Sequence, residues 1–444
     1  MTRGRHVLGL LVAAAAACAL PASAGAAQGN QWLGMRVLNQ IHQGGENEAP
    51  SNTLFAYHDG LAKGGDMIEL DVHASKDGQL VAIHDDTVDR TTDGRGEVAS
   101  KTLAQLRRLD AAYNFVPGRN AVSGQPASAY PYRGIRTGKR KPPAGFDADD
   151  FRIPTLAEVF SAYPDVPVNI EIKGRTQEEK LRVADLLARF LKGAGRSDVI
   201  VVSFDQAAVD RFHAAAPRFD VAPGVAGISA FLLGGGALPA GTKALQIPIT
   251  YTLGSTTIET VTPAYVEKAH AAGVAVHVWL DKSEENDAVY GRLLDLCVDG
   301  VMTAEPSRFE RFLEARRAPR LGGQGGSDRC PAPTRQKPGC RVTASKLVRT
   351  PAGGVTARLE RHGDLRGRCT ATVALRLPAR RGAKPVALGA GRVAVPAGRI
   401  AAIAPIRLSK AGRAALRGVR GTVQVTATVR ARAVETRTLP LAGR

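Results

Sequence analysis

Beyond Leu20 the 444-residue chain has no apolar run approaching the roughly 20 residues that a membrane-spanning helix needs. Nothing downstream of the N-terminus is therefore expected to cross a bilayer. Cysteine is scarce, with five residues (Cys18, Cys297, Cys330, Cys340 and Cys369), none at the spacing of a zinc site. Aromatics make up only 5% of the chain and are not interleaved with its basic residues. With no recognition-helix pattern either, nucleic-acid binding is not expected. Acidic residues nearly vanish from 321–444, which holds four against 25 basic ones, a net of +21, whereas residues 1–320 carry 35 basic and 37 acidic side chains. The overall charge of +19 thus belongs to the last quarter. It bears on what that part adheres to and not on what the first three quarters do.

The N-terminus has Arg3 and Arg5, an apolar run Val7–Leu20, and small residues through Ala22-Ser23-Ala24 and Ala24-Gly25-Ala26. This is the pattern of a secretory signal peptide spanning 1–27, so the protein is expected to be exported. A lipoprotein is a minority reading, because Ala15-Ala16-Ala17 before Cys18 lacks the expected Leu. Export permits disulfides. Cys297, inside Leu293-Leu294-Asp295-Leu296-Cys297-Val298, reads as a buried free thiol. The three tail cysteines allow one bridge with one left over, and Cys340–Cys369 is favoured because both flank expected strands.

Short apolar runs alternate with helical patterns over 28–320. The runs are Val37–Ile41, Met67–Val72, Leu80–His84, Val166–Ile172, Val199–Phe204, Val221–Val225, Ala244–Ile249, Val274–Leu280 and Gly300–Thr303. Between them Asn52–Lys63, Leu156–Ala162, Glu178–Leu191, Gln206–Ala215, Pro263–Ala272 and Asp287–Leu296 repeat apolar residues every three or four positions. The pattern predicts a parallel (β/α)8 TIM barrel. Nine runs stand where eight are needed, and Ala74–Gln79, with its Asp77-Gly78 turn, is too short for a crossover helix, so the barrel is expected to be distorted there. The polar stretch 111–151 interrupts the alternation, and its Tyr113, Phe115, Tyr130 and Tyr132 predict an ordered cap over the barrel mouth.

Glu69 and Asp71 are two apart in Ile68-Glu69-Leu70-Asp71-Val72, so on a strand both face one side while the aliphatic residues face the other. Glu171 and Lys173 repeat this in Asn169-Ile170-Glu171-Ile172-Lys173. Three inward carboxylates repel one another unless a cation lies among them, and all-oxygen ligands point to Ca²⁺ or Mg²⁺. His42 and His84 end two of the apolar runs, at the face where such barrels hold their active sites. Beside a metal they are suited to acid and base roles on either side of a phosphoryl centre.

These residues lie in Ile41-His42-Gln43-Gly44-Gly45, Pro50-Ser51-Asn52-Thr53, Ile68-Glu69-Leu70-Asp71-Val72, Lys76-Asp77-Gly78, Ile83-His84-Asp85, Asp89-Arg90-Thr91-Thr92-Asp93-Gly94, Ile153-Pro154-Thr155-Leu156, Asn169-Ile170-Glu171-Ile172-Lys173, Ser203-Phe204, Val278-Trp279 and Asp299-Gly300-Val301. In order and spacing the set resembles the glycerophosphodiester phosphodiesterases over residues 37–312. The resemblance implies a distorted barrel that hydrolyses glycerophosphodiesters to glycerol 3-phosphate and an alcohol, by way of a cyclic phosphate formed by the neighbouring glycerol hydroxyl. It assigns the metal to Glu69, Asp71 and Glu171, proton transfer to His42 and His84, and phosphate neutralisation to Lys173. Gln43 stands where the family usually has Arg, and Ser51 where it has Glu, with Glu46 and Glu48 nearby as substitutes. Phosphate binding then falls to Lys173 and the metal, or to a basic group of the inserted segment, while Trp279 is expected at the mouth.

Residues 321–341 read as a Gly- and Pro-containing linker. Cys369–Leu377, Val386–Val395, Ile400–Ile406 and Thr422–Val429, with a helical insert at Ser409–Leu416, predict an all-β, immunoglobulin-like sandwich over 342–444. Its arginines suit either an anionic cell-wall or membrane surface, or plain solvation. Two further readings of the whole remain: a phospholipase D-like activity on lysophospholipid or sphingomyelin, and a weakly active barrel serving the tail as a surface-binding protein.

Overall fold

The computed structural model describes residues 30–33, 37–320, 341–350, 354–362, 369–378, 385–395, 401–417, 422–430 and 434–442. The signal segment 1–27 and all but the last residue of the linker 321–341 lie outside them. Eight parallel strands form the barrel: β1 (Leu38–Ile41), β2 (Met67–Ala74), β3 (Val168–Ile172), β4 (Val199–Val202), β5 (Asp220–Val221), β6 (Ala244–Ile247), β7 (Ala275–Trp279) and β8 (Gly300–Thr303). They run in the order β5-β4-β3-β2-β1-β8-β7-β6, and a parallel bridge from Val221 to Thr242 nearly closes the ring. The surplus run is a short strand, Leu80–Ala82, that folds back antiparallel on β2 after the Asp77-Gly78 turn. That is the irregularity expected from so short a link.

The helices follow their strands: α1 (Leu54–Ala62), α2 (Leu156–Ala162), α3 (Gln177–Gly193), α4 (Gln206–Ala215), α5 (Val225–Leu232), α6 (Pro263–Ala271), α7 (Asp287–Asp295) and α8 (Pro306–Arg320). α3 shows the local logic. Thr176 caps it by accepting from Glu179 N, Glu178 and Glu179 sit in the first turn, Lys192 sits in the last, and Val183, Ala184, Leu187, Ala188 and Leu191 are buried. Ile68, Leu70 and Val72 of β2 join these residues in the core outside the sheet, which leaves Glu69 and Asp71 for the interior. α5 was not legible: its sequence, Val-Ala-Gly-Ile-Ser-Ala-Phe-Leu, has no charged residue and a single polar one, too little contrast to show a helical period.

The floor of the barrel is plugged. Trp32 is 1% exposed among Leu38, Met67, Ile200, Ala222, Ala244 and Ala275, which lie at or near the strand starts. Its Nε1 donates to Asp220 Oδ2 (2.8 Å), and its ring meets His277 edge-on at 6.5 Å.

The inserted segment is ordered, yet it is not the expected cap. Phe55 of α1 stacks on Phe151, meets Phe146 edge-on and packs against Tyr132, with Phe115 stacked on Tyr132, so the aromatics seal the insert to the flank of α1. Of residues 111–151 only Asn120 lines the central cavity. The seam continues at Glu158, whose carboxylate accepts from Arg152 Nη2 (2.7 Å), Arg107 Nη2 (2.7 Å) and Thr155 N (2.8 Å). Burial opposes its charge, but these donors hold its pKa at about 2. Its contribution is present above the ordinary carboxylate range and fades as pH falls from about 4.5 towards 2. Glu158→Gln is expected to lower stability by about 2 kcal/mol at pH 7, as read by chemical denaturation, with the difference shrinking in acid. A variant as stable as the parent at neutral pH would contradict this.

The C-terminal part is a separate all-β unit. Strands β9 (Arg341–Arg349), β10 (Val355–His362), β11 (Cys369–Leu377), β12 (Val386–Val395), β13 (Ala401–Leu408), β14 (Thr422–Arg430) and β15 (Val434–Ala442) pair antiparallel in the order β9-β10-β13-β12-β11-β14-β15, with helix α9 at Lys410–Arg417. β9 packs back on β14 and β15, enclosing Val342, Leu347, Leu359, Val373, Leu375 and Val425. Arg376, Arg392 and Arg407 face solvent. The unit contacts the barrel through Arg358 of β10, whose Nη2 donates to His58 Nε2 of α1 (3.0 Å) and whose Nη1 lies 3.7 Å from Asp150 Oδ2 of the insert. Lys346 Nζ adds a 2.8 Å pair to Asp147.

Cys297 corrects the sequence reading, for it is disulfide-bonded and not a free thiol. It occupies a left-handed turn after α7 (φ 62°), where burial in an apolar run had pointed the other way. Counted with it, Cys330, Cys340 and Cys369 form an even set. Cys330 and Cys340 lie outside the described residues.

Candidate active site

β1 ends at Ile41, and the chain turns sharply through His42, Gln43 and Gly44. Gln43 adopts φ 49°, which aims its backbone N–H at Glu69 Oε2 (2.8 Å). Gly44 follows at φ 89°, and a Cβ there would fall 2.6 Å from Ala56 Cβ of α1, so the turn requires glycine. His42 is thereby set at the carboxyl end of β1. Its Nδ1 donates to Glu46 Oε1 at 2.6 Å; a carboxylate only accepts, so the proton resides on Nδ1 and Nε2 remains for the cavity. Burial opposes a charge on His42, but Glu46, Glu69 and Asp71 outweigh it and raise its pKa to about 10.

His84 stands across the cavity, beyond the antiparallel strand 80–82. Its Nδ1 donates to Asp85 Oδ1 (2.8 Å), and Arg90 clamps the same carboxylate through Nε (2.7 Å) and Nη2 (2.9 Å). Although burial would raise Asp85, His84 and Arg90 hold it below the usual carboxylate range. Both histidines are thus oriented by a carboxylate on Nδ1.

Between them, oxygens of Glu69, Asp71 and Glu171 lie within 4.8 Å of one another. β2 and β3 place them there, for Asp71 pairs with Glu171 in the parallel register. Burial and the adjacent Asp71 push Glu69 up to about 8, against the pull of His42 and of the Gln43 amide. Burial would raise Asp71 too, but Lys173, both histidines and Asn52 bring it to about 2. Asn52, itself left-handed at φ 54°, donates from Nδ2 to Asp71 Oδ2 (3.0 Å) and accepts from Tyr57 OH (2.9 Å). Lys173 Nζ lies 2.9 Å from Glu171 Oε1 and 3.3 Å from Asp71 Oδ1, and these two anions lift it above its usual value despite burial. One lysine faces three carboxylates, and Asp71 Oδ1 accepts no hydrogen bond. This donor set fits a hard divalent cation.

His42, Glu46, Glu69, His84, Asp85, Arg90, Glu171 and Lys173 line one cavity of about 450 Å³, with Asp71, Asn52 and Tyr57 behind its wall. The structure therefore brings together His42, His84, Glu69, Asp71, Glu171 and Lys173. Trp279, at the end of β7, lines the same cavity with its ring 6.1 Å from that of Phe204. Gln43 is 3% exposed and lines the cavity, but its side-chain Oε1 has no hydrogen-bond partner. No basic residue of the insert reaches the site; Arg90 and Lys282 are the additional cations along the wall. Sequence reasoning gave no role to Asp85, Arg90 or Asn52. The signal for the first two was their closeness to His84 in the chain.

Residues 42–308 match the model of the glycerophosphoryl diester phosphodiesterase family. The chain belongs to this family. A glycerophosphodiester phosphodiesterase of Caldanaerobacter subterraneus is 31% identical over 280 residues, which cover 61% of this chain and 96% of the relative. One of Bacillus subtilis is 30% identical over 300 residues, covering 66% and 91%. Among solved structures, a phosphodiesterase of Oleispira antarctica in complex with sn-glycerol-3-phosphate aligns with a TM-score of 0.45 and 23% identity, over 63% of this chain and 96% of that one. The family match ends before the C-terminal unit begins, so that unit lies outside what the family shares.

Proposed function

We propose that the protein is an exported, metal-dependent hydrolase of glycerophosphodiesters that releases glycerol 3-phosphate and an alcohol. The observation that carries this reading is the pair of histidines, each oriented through Nδ1 by a carboxylate, on either side of a buried three-carboxylate cluster. Glu69, Asp71 and Glu171 would hold a divalent cation, which when bound supplies charge stabilisation to a phosphoryl oxygen. The chain's own groups do the rest. One histidine takes a proton from the attacking hydroxyl through Nε2, and the other returns one to the departing alcohol. Lys173 and Arg90, both on the cavity lining, offset the diester's negative charge and replace the guanidinium that Gln43 does not provide. Asn52 and Tyr57 keep Asp71 in place.

The test is to purify the protein from the culture medium of an expressing host and assay it on glycerophosphocholine, glycerophosphoethanolamine and glycerophosphoglycerol with Mg²⁺ or Ca²⁺. The exported form is expected to begin at Gln28 and to turn over at least one of the three. Absence from the medium would remove the export reading, and inactivity on all three would remove the hydrolase reading.

A further inference from the structure

His42 and His84 are held in different ways. Asp85, which orients His84, is clamped by Arg90, whereas Oε2 of Glu46 is buried with no hydrogen-bond partner among the described residues. The placement of Glu46 and His42 therefore rests on the backbone of their own turn. That turn is seated on the segment after β8. Asn47 N donates to Ala304 O (3.2 Å) and its Nδ2 to Glu305 Oε1 (3.3 Å), while Glu48 Oε1 accepts from Ser307 N (3.1 Å) and Oγ (2.7 Å). Gly45, at φ 88°, approaches so closely that a Cβ would fall 2.7 Å from Pro306 Cγ.

The seat is tied down by a buried carboxylate that the proton transfers do not use. Glu285, 5% exposed in the loop before α7, accepts from Ala304 N through Oε1 (2.6 Å) and from Thr303 Oγ1 through Oε2 (2.6 Å). The same Oε2 accepts from Tyr290 OH of α7 (2.5 Å). Thr303 Oγ1 in turn accepts from Glu305 N (2.9 Å), and Arg308 Nη1 of α8 donates to the backbone carbonyl of Glu285 (2.7 Å). One side chain thus joins the end of β8 to α7 through three short bonds, the kind that weigh most when the acceptor is charged. Burial raises Glu285 to about 7 against the pull of these donors, and the charge of Glu46 adds to the rise.

We propose that Glu285 is a positioning residue for His42: it fixes residues 303–305, on which the turn carrying His42 and Glu46 is seated, and so sets where His42 Nε2 meets the reacting oxygen. This rests on the hydrolase reading and adds a residue to it. Glu285 touches neither substrate nor metal, and it acts through the placement of another side chain. A displacement of about 1 Å at reacting atoms can cost about a hundredfold in rate. The metal carboxylates stand on β2 and β3, not on this seat, so the effect is confined to the proton-transfer step.

The experiment takes steady-state kinetics of the full-length protein with Mg²⁺ or Ca²⁺ on glycerophosphocholine, glycerophosphoethanolamine and glycerophosphoglycerol, and records the metal-induced melting shift beside them. Glu285→Ala is expected to lose between about tenfold and a hundredfold in kcat, with KM and the melting shift unchanged. Thr303→Val removes one of the bonds at nearly constant volume; it should lose kcat in the same way, and it carries the test if Glu285→Ala does not fold. Glu285→Gln keeps an acceptor for Ala304 N and should recover most of the loss. In His42→Ala no imidazole is left to position, so adding either substitution should cost less than about threefold more. Parent-like kcat in Thr303→Val and in folded Glu285→Ala overturns the inference and leaves the hydrolase reading standing. So does an undiminished loss in the His42→Ala background, or a melting shift that disappears together with kcat. A parent protein inactive on all three substrates overturns both readings.

Discussion

His42→Ala is expected to lose between about a hundredfold and ten thousandfold in kcat, with KM little changed, because the imidazole moves a proton only as the reaction proceeds. His84→Ala should match it. Combining the two should cost little more than either alone, since each proton transfer is useless without the other. Glu46→Gln separates holding from doing. An amide oxygen can still accept from Nδ1, so the ring keeps its tautomer and pose, and the loss should be well below that of His42→Ala. Stopped assays on folded variants decide this. Retention of kcat within a few-fold in both alanine variants would remove the histidines from the mechanism, and a Glu46→Gln defect as deep as His42→Ala would make Glu46 more than an orienting partner.

Chelation is expected to abolish turnover and restored Mg²⁺ or Ca²⁺ to recover it. Thermal stability should follow the same course. An ion that binds only the folded protein adds about 2.7 kcal/mol at a hundred times its Kd, a shift visible in melting experiments. The apo protein carries a second signature. Glu69 is held neutral up to about pH 8 when folded, against an ordinary value of 4.5, so the stability it contributes is complete below about 4.5 and disappears as pH rises through 8. The cation should cancel that decline by pairing the charge. In Asp71→Asn both the metal-induced shift and turnover should be lost, while the Asn52 contact can persist to an amide oxygen through Nδ2. Full activity in chelator, or a melting shift unchanged in Asp71→Asn, would refute a metal at these carboxylates.

The legible parts of the molecule were those written in local period. Glu69 and Asp71 alternate with Ile68, Leu70 and Val72, and that alone places two carboxylates inside the barrel. The surplus ninth run could be discounted because Ala74–Gln79 is too short to cross a sheet. What escaped depended on contacts between distant segments or on uniform composition. α5 has no charged residue and only Ser229 as a polar one, so the helix has no period to read. The aromatics of 111–151 announced order but not where it docks, because their partner Phe55 lies on α1, far away in the chain. β9 and β10 went unread since Lys346, Arg349 and Arg358 dilute their apolar positions, although Val342, Leu347 and Leu359 are buried there. Cys297 misled for a related reason, in that an apolar neighbourhood describes burial and says nothing of a distant thiol.

The two tryptophans of the chain stand at opposite ends of one barrel. Trp32 is sealed in the floor with its indole N–H tied to Asp220, and Trp279 is half-buried at the mouth beside Phe204. Their fluorescence is therefore divisible by access: a dissolved quencher reaches the mouth indole and not the floor one. The protein carries, without any label, one optical marker for the integrity of its base and another for the occupancy of its opening.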